Sequence, residues 1–331
     1  MIAEISANHH HDIEKAIHLI GLAKDCGADA VKLQHYTPDT MTIDCDADVF
    51  KVGEGTIWEG RNLYDLYGEA HTPWGWTGRL FEAAADAGIT IFSTPFDATS
   101  VDFLEQFSPP AYKIASFELV DLPLIRRVAQ TGKPVIMSTG MGSLAEICEA
   151  VEALRGEGAE DFALLKCTSA YPAPAAEANL ARIPHMAATF GVPVGLSDHT
   201  MGSAIPCAAA ALGACIVEKH FIVSRSEGGP DAAFSMEPGE FRRMVEDVRA
   251  AEAAVGCITY GRTPKEISSL VFRRSLFAVE DIAAGEELTG ANVRVIRPGY
   301  GLAPKFLPQV LGRRAKCLIP RGTPLAWGHL A

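Results

Sequence analysis

Residues 1–36 read MIAEISANHHHDIEKAIHLIGLAKDCGADAVKLQHY, and this stretch sets the pattern that decides the fold. A short apolar segment at 2–6 is followed by Asp12, whose side chain can cap a helix. Isoleucines then recur at helical spacing from residue 13 to residue 20, and Gly27 ends the helical pattern. A second apolar segment follows at 30–34. The stretch therefore predicts a strand, a helix and a second strand.

The same unit recurs along the chain. Apolar, often β-branched segments suited to strands occur at 2–6, 30–34, 90–93, 111–115, 134–138, 163–167, 193–196 and 215–219. Amphipathic stretches follow most of them, and helices are expected at 144–154, 180–190, 203–212 and 238–255. Eight strand–helix units in about 255 residues predict an α/β fold, a closed (β/α)8 TIM barrel. An open doubly wound sheet is the alternative, but the first strand is not followed by a glycine-rich dinucleotide fingerprint.

Two connections are too long for simple turns. They span 36–71, after the second predicted strand, and 221–237, after the eighth. Both leave the carboxyl ends of barrel strands, where the active sites of TIM barrels lie. We therefore predict that both are lids over the active site.

The strand–helix pattern stops after residue 255. Residues 1–255 are predicted to form the catalytic barrel, 256–272 a linker, and 273–331 a second, small β-rich domain. Strand-like pieces in the second domain occur at 275–279, 293–296 and 315–318. A domain of about 60 residues is only marginally stable alone, so packing on a partner is expected.

Composition restricts the class of protein. Apolar residues make up 48% and charged residues 21% of the 331 residues, as in a soluble enzyme. No apolar run reaches the roughly 18 residues of a membrane helix, and Glu4 lies where a signal peptide would be hydrophobic, so a cytoplasmic location is expected. The eight cysteines form no CxxC pair and are expected to be reduced. A net charge of −12 argues against a nucleic-acid binder but not against a small anionic substrate.

Polar side chains follow nearly every predicted barrel strand. In chain order they are Glu4, Asn8 and His9; Lys32 and Gln34; Thr94; Lys113, Ser116 and Glu118; Ser138 and Thr139; Lys166 and Thr168; Ser197, Asp198 and His199; and Glu218, Lys219 and His220. Because the carboxyl ends of barrel strands meet at one rim, we expect these side chains to converge there. Their convergence predicts an active site.

Two lysines in this set suit a phosphate group. Lys32 and Gln34 are two residues apart in a strand and share a face, and Lys113 comes from a strand two places further round. The neighbouring hydroxyl groups belong to Thr94, Ser116 and Ser138. Ammonium groups and hydroxyl donors together predict an anion-binding site.

Two histidines suit a divalent metal ion. His199 and His220 end adjacent predicted strands, so their imidazoles could share one ion whose other ligands are water and substrate oxygens. His9, His10 and His11 are consecutive and cannot all face one ion, and His10 and His11 are interpreted as loop residues.

Five segments resemble the sialic acid synthase family. They are AEISANH at 3–9, AYKIASFE at 111–118, STGM at 138–141, GLSDHT at 195–200 and EKHF at 218–221. RPGYG at 297–301 is similar to the signature of that family's C-terminal antifreeze-like (SAF) domain. The resemblance covers essentially the whole chain and implies a TIM barrel followed by an SAF domain. Relatives usually carry a segment ahead of the first strand, so either the chain is shortened there or its start is assigned differently.

Other stretches are similar to the pseudaminic acid branch of that family. They are YTPDTM at 36–41, HTPW at 71–74, KCTSAYPAP at 166–174 and the segment 297–305. The resemblance implies a metal-dependent transferase that condenses phosphoenolpyruvate with an amino-sugar aldehyde. For this branch the sugar would be 2,4-diacetamido-2,4,6-trideoxyaltrose, and the products pseudaminic acid and phosphate, formed by C–O cleavage. A sibling enzyme making N-acetylneuraminic or legionaminic acid is the alternative.

The resemblance also implies roles for individual residues. His199 and His220 would hold Mn²⁺, with Mg²⁺ and Co²⁺ as alternatives. Phosphoenolpyruvate would be held by Lys32, Thr94, Lys113, Ser116, Ser138 and Ser197, and by Ser169, where the sialic and legionaminic branches usually carry Asn. The sugar would be surrounded by Glu4, Gln34, Glu118, Tyr171 and Asp231. Arg297 would reach the sugar from the SAF domain of the other subunit of a domain-swapped homodimer.

The expected chemistry needs a carboxylate near the reacting carbons. We assign Glu118 as the acid/base on the sugar side and Glu4 as its electrostatic partner, although spacing alone does not separate the two. Two distant alternatives remain. One is a Schiff-base aldolase using Lys166 or Lys113, and the other is a carbohydrate-binding protein with an inactive barrel.

Overall fold

Eight parallel strands close into a barrel in the first part of the chain. The strands are β1 (Ile2–Glu4), β2 (Ala30–His35), β3 (Thr90–Pro95), β4 (Tyr112–Ile114), β5 (Val135–Ser138), β6 (Phe162–Cys167), β7 (Val194–Asp198) and β8 (Val217–His220). They are arranged in chain order, and β1 closes the barrel by pairing with both β2 and β8. The predicted TIM barrel is therefore confirmed.

This computed structural model describes all residues from 1 to 331, which form two compact units, Met1–Gly256 and Cys257–Ala331. Helices of the first unit are α1 (Ile13–Asp25), α2 (Pro38–Met41), α3 (Leu63–Ala70), α4 (Thr77–Ala87), α5 (Ala98–Leu104), α6 (Leu122–Ala129), α7 (Leu144–Gly156), α8 (Arg182–Phe190), α9 (Ala204–Ala211) and α10 (Pro238–Val255). Those of the second unit are α11 (Pro264–Ser268) and α12 (Leu307–Val310). No helix is both long and apolar enough to cross a lipid bilayer.

Helix α1 shows how the sequence sets an element boundary. The carboxylate of Asp12 accepts hydrogen bonds from the backbone N–H groups of Glu14 and Lys15, at 2.9 and 3.3 Å. Beyond the helix, Gly27 adopts a left-handed conformation with φ +90° that a residue with a side chain rarely adopts. The buried face runs through Leu19 and Ile20, so the isoleucine stripe predicted from spacing lies partly at the edge of the contact with the barrel.

The long connection at 36–71 contains α2 and α3, neither of which was predicted. Thr37 begins α2 with a reciprocal capping box to Thr40, and Asn62 caps α3 by accepting from the N–H of Tyr64. The segment predicted as a linker contains α11. Short stretches with strong caps thus form helices that are too short for hydrophobic periodicity to reveal.

The second unit has its own small core. Strand β9 (Ser275–Ala278) pairs antiparallel with β10 (Val293–Ile296). Leu276, Ile282, Val310 and Leu325 are buried together. The strand predicted at 315–318 is wrong, since Ala315 makes only an isolated bridge to Leu330.

Candidate active site

Strand register brings three predicted site residues to one level of the barrel. Glu4 at the end of β1 lies opposite Lys32 of β2 on one side and His220 of β8 on the other. The lysine predicted to bind an anion and the histidine predicted to bind a metal therefore lie at the same end of the barrel, beside the carboxyl group of Glu4. All three project from neighbouring positions of parallel strands.

A buried network of charges occupies this end. The Nζ atom of Lys32 contacts a carboxylate oxygen of Glu4, and lies 3.6 Å from Oε1 of Glu218. The Nζ atom of Lys113 lies 3.3 Å from the same Glu218 oxygen. Burial alone would raise the pKa of Glu218, but Lys113 and Lys32 outweigh it and lower that pKa to about 2. Glu218 is therefore a permanent anion shared by two lysines.

Hydroxyl groups surround the two lysines. Lys32 donates to the hydroxyl of Thr94 at 3.0 Å, and Ser197 donates to Glu218 at 3.1 Å. The hydroxyl groups of Ser116 and Ser169 lie 3.0 Å apart. The Oγ atom of Ser138 is buried and has no hydrogen-bond partner in the protein. An unpaired buried hydroxyl is costly, so it favours a ligand that supplies the missing partner.

Glycine at position 140 lets the loop after β5 approach this cluster. A Cβ atom there would lie 2.2 Å from Cβ of Ser116 and 2.8 Å from Oγ of Ser169. The φ of Gly140 is +42°, which also disfavours a side chain. The contact between Ser116 and Ser169 therefore depends on this glycine.

His199 and His220 form a pair of adjacent imidazoles whose ring centres are 5.4 Å apart. Nδ1 of His199 lies 2.9 Å from the carbonyl oxygen of Thr168, so Nδ1 carries the proton of the neutral ring. Burial alone would lower the pKa of His199, but Cys167 and the Thr168 carbonyl outweigh it and raise that pKa. Burial lowers the pKa of His220 well below its usual value. Its Nδ1 atom is buried, has no hydrogen-bond partner and lies 4.0 Å from an oxygen of Asp231.

These features fit a catalytic divalent ion. Divalent ions bind histidine as the neutral imidazole, through a ring nitrogen that carries no proton. The buried, unpaired Nδ1 atom of His220 meets this requirement. No group of three or more His, Cys, Asp or Glu side chains is arranged to hold a metal. An ion bound by these two imidazoles alone would have its other coordination positions filled by water or substrate.

A cavity of about 430 Å³ is lined by His220, one of these two imidazoles. Predicted site residues that line it are Gln34, Ser116, Glu118, Tyr171, His220 and Asp231. Both long connections contribute to its walls, with Tyr36 and Trp58 from one and Pro230 and Phe234 from the other. The volume is that of a small-molecule site.

The two carboxyl groups that line this cavity, Glu118 and Asp231, form no ion pair with a lysine or an arginine. Burial raises the pKa of Glu118 to about 7, and its Oε2 atom has no hydrogen-bond partner. Burial also raises the pKa of Asp231, which accepts hydrogen bonds from the hydroxyl of Ser6 and, at 3.4 Å, from the N–H of Ala7. Burial raises the pKa of Glu4 as well, although its contact with Lys32 opposes this, and Glu4 accepts at 2.7 Å from the N–H of Ser6. The cavity thus holds two carboxyl groups suited to carrying protons, and a third, Glu4, is paired with a lysine.

The remaining candidates lie elsewhere. Arg297 follows β10 in the second unit and is exposed. Lys166, the alternative Schiff-base residue, is buried and contacts the hydroxyl of Thr168. His9 is buried against Trp76, whereas His10 and His11 are in the loop expected for them, both with positive φ.

Sequence reasoning missed several residues of the site. Glu218 was noted only as a rim residue, and Ser6, Trp58 and Phe234 were not singled out. Glu218 could have been predicted from the sequence, because it lies two residues before His220 on β8 and therefore shares its face. A buried pair of lysines also needs a counter-charge. All eight cysteines are free, but only Cys26 and Cys167 are buried.

Comparison with known proteins gives consistent relatives. The NeuB family profile matches residues 19–260, and the SAF domain profile matches 273–331. Pseudaminic acid synthase of Helicobacter pylori is 43% identical over 98% of this chain and 96% of its own. The protein of that name from Campylobacter jejuni is 43% identical over 99% of this chain and 95% of its own. The crystal structure of an N-acetylneuraminic acid synthetase from Leptospira borgpetersenii superposes with a TM-score of 0.72 at 30% identity, covering 81% of this chain and 89% of that one.

Proposed function

Because this chain belongs to the NeuB family, we propose that it condenses phosphoenolpyruvate with open-chain 2,4-diacetamido-2,4,6-trideoxyaltrose, giving pseudaminic acid and inorganic phosphate. The observation that carries the proposal is the similarity, over nearly the full length, to two proteins named pseudaminic acid synthase. The rim of the barrel supports it, because it combines an anion-binding lysine cluster with paired imidazoles and a cavity of sugar size.

In this proposal the lysine cluster holds phosphoenolpyruvate. Lys32 and Lys113 supply point charges to the phosphate and carboxylate groups. Ser138, whose hydroxyl has no partner in the protein, donates to a phosphate oxygen, as does the hydroxyl of Ser116. Ser197 donates to phosphate once its hydroxyl turns away from Glu218. Glu218 favours the charged forms of both lysines while the site is empty; burial would lower both pKa values, and Glu218 and Glu4 outweigh it at Lys32 but not at Lys113.

The cavity holds the sugar. Gln34, Tyr171 and Asp231 line it and orient the sugar, and Glu118 carries a proton there below about pH 7. His199 and His220 would hold a divalent cation, with Mn²⁺ as the expected metal, and such an ion polarises the aldehyde oxygen as a Lewis acid.

The reaction then proceeds in three steps. C3 of phosphoenolpyruvate forms a bond to the aldehyde carbon, and Glu118 donates a proton to the oxygen that becomes a hydroxyl group. The carboxylate of Glu4 stabilises the cation left at C2 and takes a proton from the water that adds there. The bond between C2 and the phosphate ester oxygen then breaks, and the hydroxyl group at C2 gives its proton to the departing phosphate. Phosphate therefore leaves with the bridging oxygen, and C2 becomes the ketone.

A phosphate-release assay tests this function. The protein with phosphoenolpyruvate and Mn²⁺ should release phosphate with the diacetamido-trideoxy sugar and much less with N-acetylmannosamine. ¹⁸O in the bridging position of phosphoenolpyruvate should appear in the phosphate. Release with N-acetylmannosamine alone would reassign the enzyme to the sialic acid branch. No release with any acetamido sugar, or label kept in the sugar product, would contradict the proposed reaction, and a Schiff-base aldolase would release no phosphate.

We also propose that Arg297 completes the site of the other subunit in a domain-swapped homodimer. Arg297→Ala should raise the KM for the sugar about 10- to 100-fold, the value of a charge-assisted hydrogen bond, and leave the KM for phosphoenolpyruvate unchanged. Arg321→Ala, which changes another exposed arginine of the same unit, is the control.

Mixed dimers separate the swapped from the unswapped arrangement. At a sugar concentration far below the raised KM, Arg297→Ala and His220→Ala chains expressed together should be more active than either variant alone, because a swapped heterodimer contains one intact site. Absence of recovery in isolated heterodimers would show that each chain completes its own site.

A further inference from the structure

The cavity wall formed by the connection between β2 and β3 is apolar. Met41, Val52, Leu63 and Leu66 of this connection line the cavity. Trp58 lies at its tip and is half-buried, whereas every other residue from Gly53 to Gly60 is exposed. A large aromatic side chain directed inward from an exposed loop indicates that the loop is built to present that ring.

The tip is held in place by specific contacts. Val52 and Gly60 close it, since the N–H of Gly60 donates to the carbonyl oxygen of Val52 at 2.9 Å. The indole N–H of Trp58 donates at 2.8 Å to the carbonyl oxygen of Pro230, which belongs to the second long connection. Trp58 therefore joins the two connections that wall the cavity and has a fixed orientation.

Trp58 also contacts the aromatic rings beside the imidazole pair. Its ring centre lies 5.4 Å from that of Tyr171 and 6.3 Å from that of Phe234. Those two rings in turn contact the imidazoles, Tyr171 at 4.4 Å from His199 and Phe234 at 4.8 Å from His220. A sugar whose aldehyde lies at the imidazoles and Glu118 therefore extends its remote carbons towards Trp58.

We propose that Trp58 is a specificity-determining residue whose indole face selects sugars with methyl groups, in place of hydroxyl groups, remote from the aldehyde. This inference rests on the proposed function, and it assigns the recognition of the 6-deoxy carbon and the 4-acetamido methyl to one side chain. The physical reason is that an apolar wall gains free energy from a buried methyl group and gains none from a hydroxyl group that must leave water. One methyl group in an apolar pocket changes kcat/KM between two substrates by about 10- to 200-fold.

The test uses two sugars that differ only at C6. These are 2,4-diacetamido-2,4,6-trideoxyaltrose and its 6-hydroxy counterpart, each assayed by phosphate release with saturating phosphoenolpyruvate and Mn²⁺. The unmodified protein should prefer the 6-deoxy sugar in kcat/KM by about tenfold or more. Trp58→Ala should lose most of this preference, chiefly through a higher KM for the 6-deoxy sugar, with the KM for phosphoenolpyruvate unchanged.

Trp58→Phe separates selection from loop anchoring. Phenylalanine keeps an apolar ring but cannot donate to the carbonyl oxygen of Pro230, so the preference should persist even if both rates fall. An equal loss with both sugars in Trp58→Ala would show that the ring only holds the loop, and would overturn the inference, as would a lack of preference in the unmodified protein. Phosphate release from neither sugar by the unmodified protein would refute the proposed function itself, and the inference with it.

Discussion

Replacing His220 with alanine should lower kcat by about a thousandfold, because a Lewis-acid metal supplies several kcal/mol of charge stabilisation and each 1.36 kcal/mol is worth a factor of ten. The structure leaves one other imidazole, His199, and no cluster of three ligands to hold the ion without it. The variant should also bind Mn²⁺ much more weakly than the unmodified protein. Equilibrium dialysis with metal analysis measures this independently of turnover.

The variant should remain folded. His220 lies at the end of β8 with an unpaired Nδ1, so alanine removes no hydrogen bond from the barrel. Circular dichroism and thermal unfolding check this, and His185→Ala, at an exposed histidine of α8, is the matched control. Full activity of His220→Ala, or turnover that survives a chelator in the unmodified protein, would refute the metal assignment.

The barrel was predictable because its signal is local and repeated. Each strand is a short apolar run, and the rule that barrel active sites lie at the carboxyl ends of strands turned residue positions into a spatial prediction. Lys32, Glu4 and His220 illustrate this, since their positions in sequence place them at one level of the barrel once the strands pair.

The contacts between residues within the site were harder to predict from the sequence. Glu218 and Lys113 are 105 residues apart, and their ion pair follows from barrel closure, which no local pattern reports. Trp58 lies among exposed residues near Gly53, Gly55 and Gly60, and its bond to Pro230 joins positions 172 residues apart. The contacts of side chains in the long connections therefore could not be predicted without the tertiary structure.

Replacing Glu118 with glutamine should lower kcat/KM for the sugar by about 10²- to 10⁴-fold, the usual contribution of a general acid or base. Glutamine keeps the size and polarity of the side chain but cannot give up a proton to the aldehyde oxygen. Glu149→Gln, at an exposed glutamate of α7, should leave the rate unchanged.

The pH dependence distinguishes proton transfer from binding. Because burial raises the pKa of Glu118 to about 7, the protein carries the proton below that pH and loses it above. The kcat/KM of the unmodified protein should therefore fall as the pH rises through about 7, and this limb should be absent from Glu118→Gln. The same falling limb in the variant would assign it to another group. A rate that instead rises through pH 7 and is lost in the variant would make Glu118 a base, and the proton donor would then be sought at Asp231, the other buried carboxyl group of the cavity whose pKa is raised.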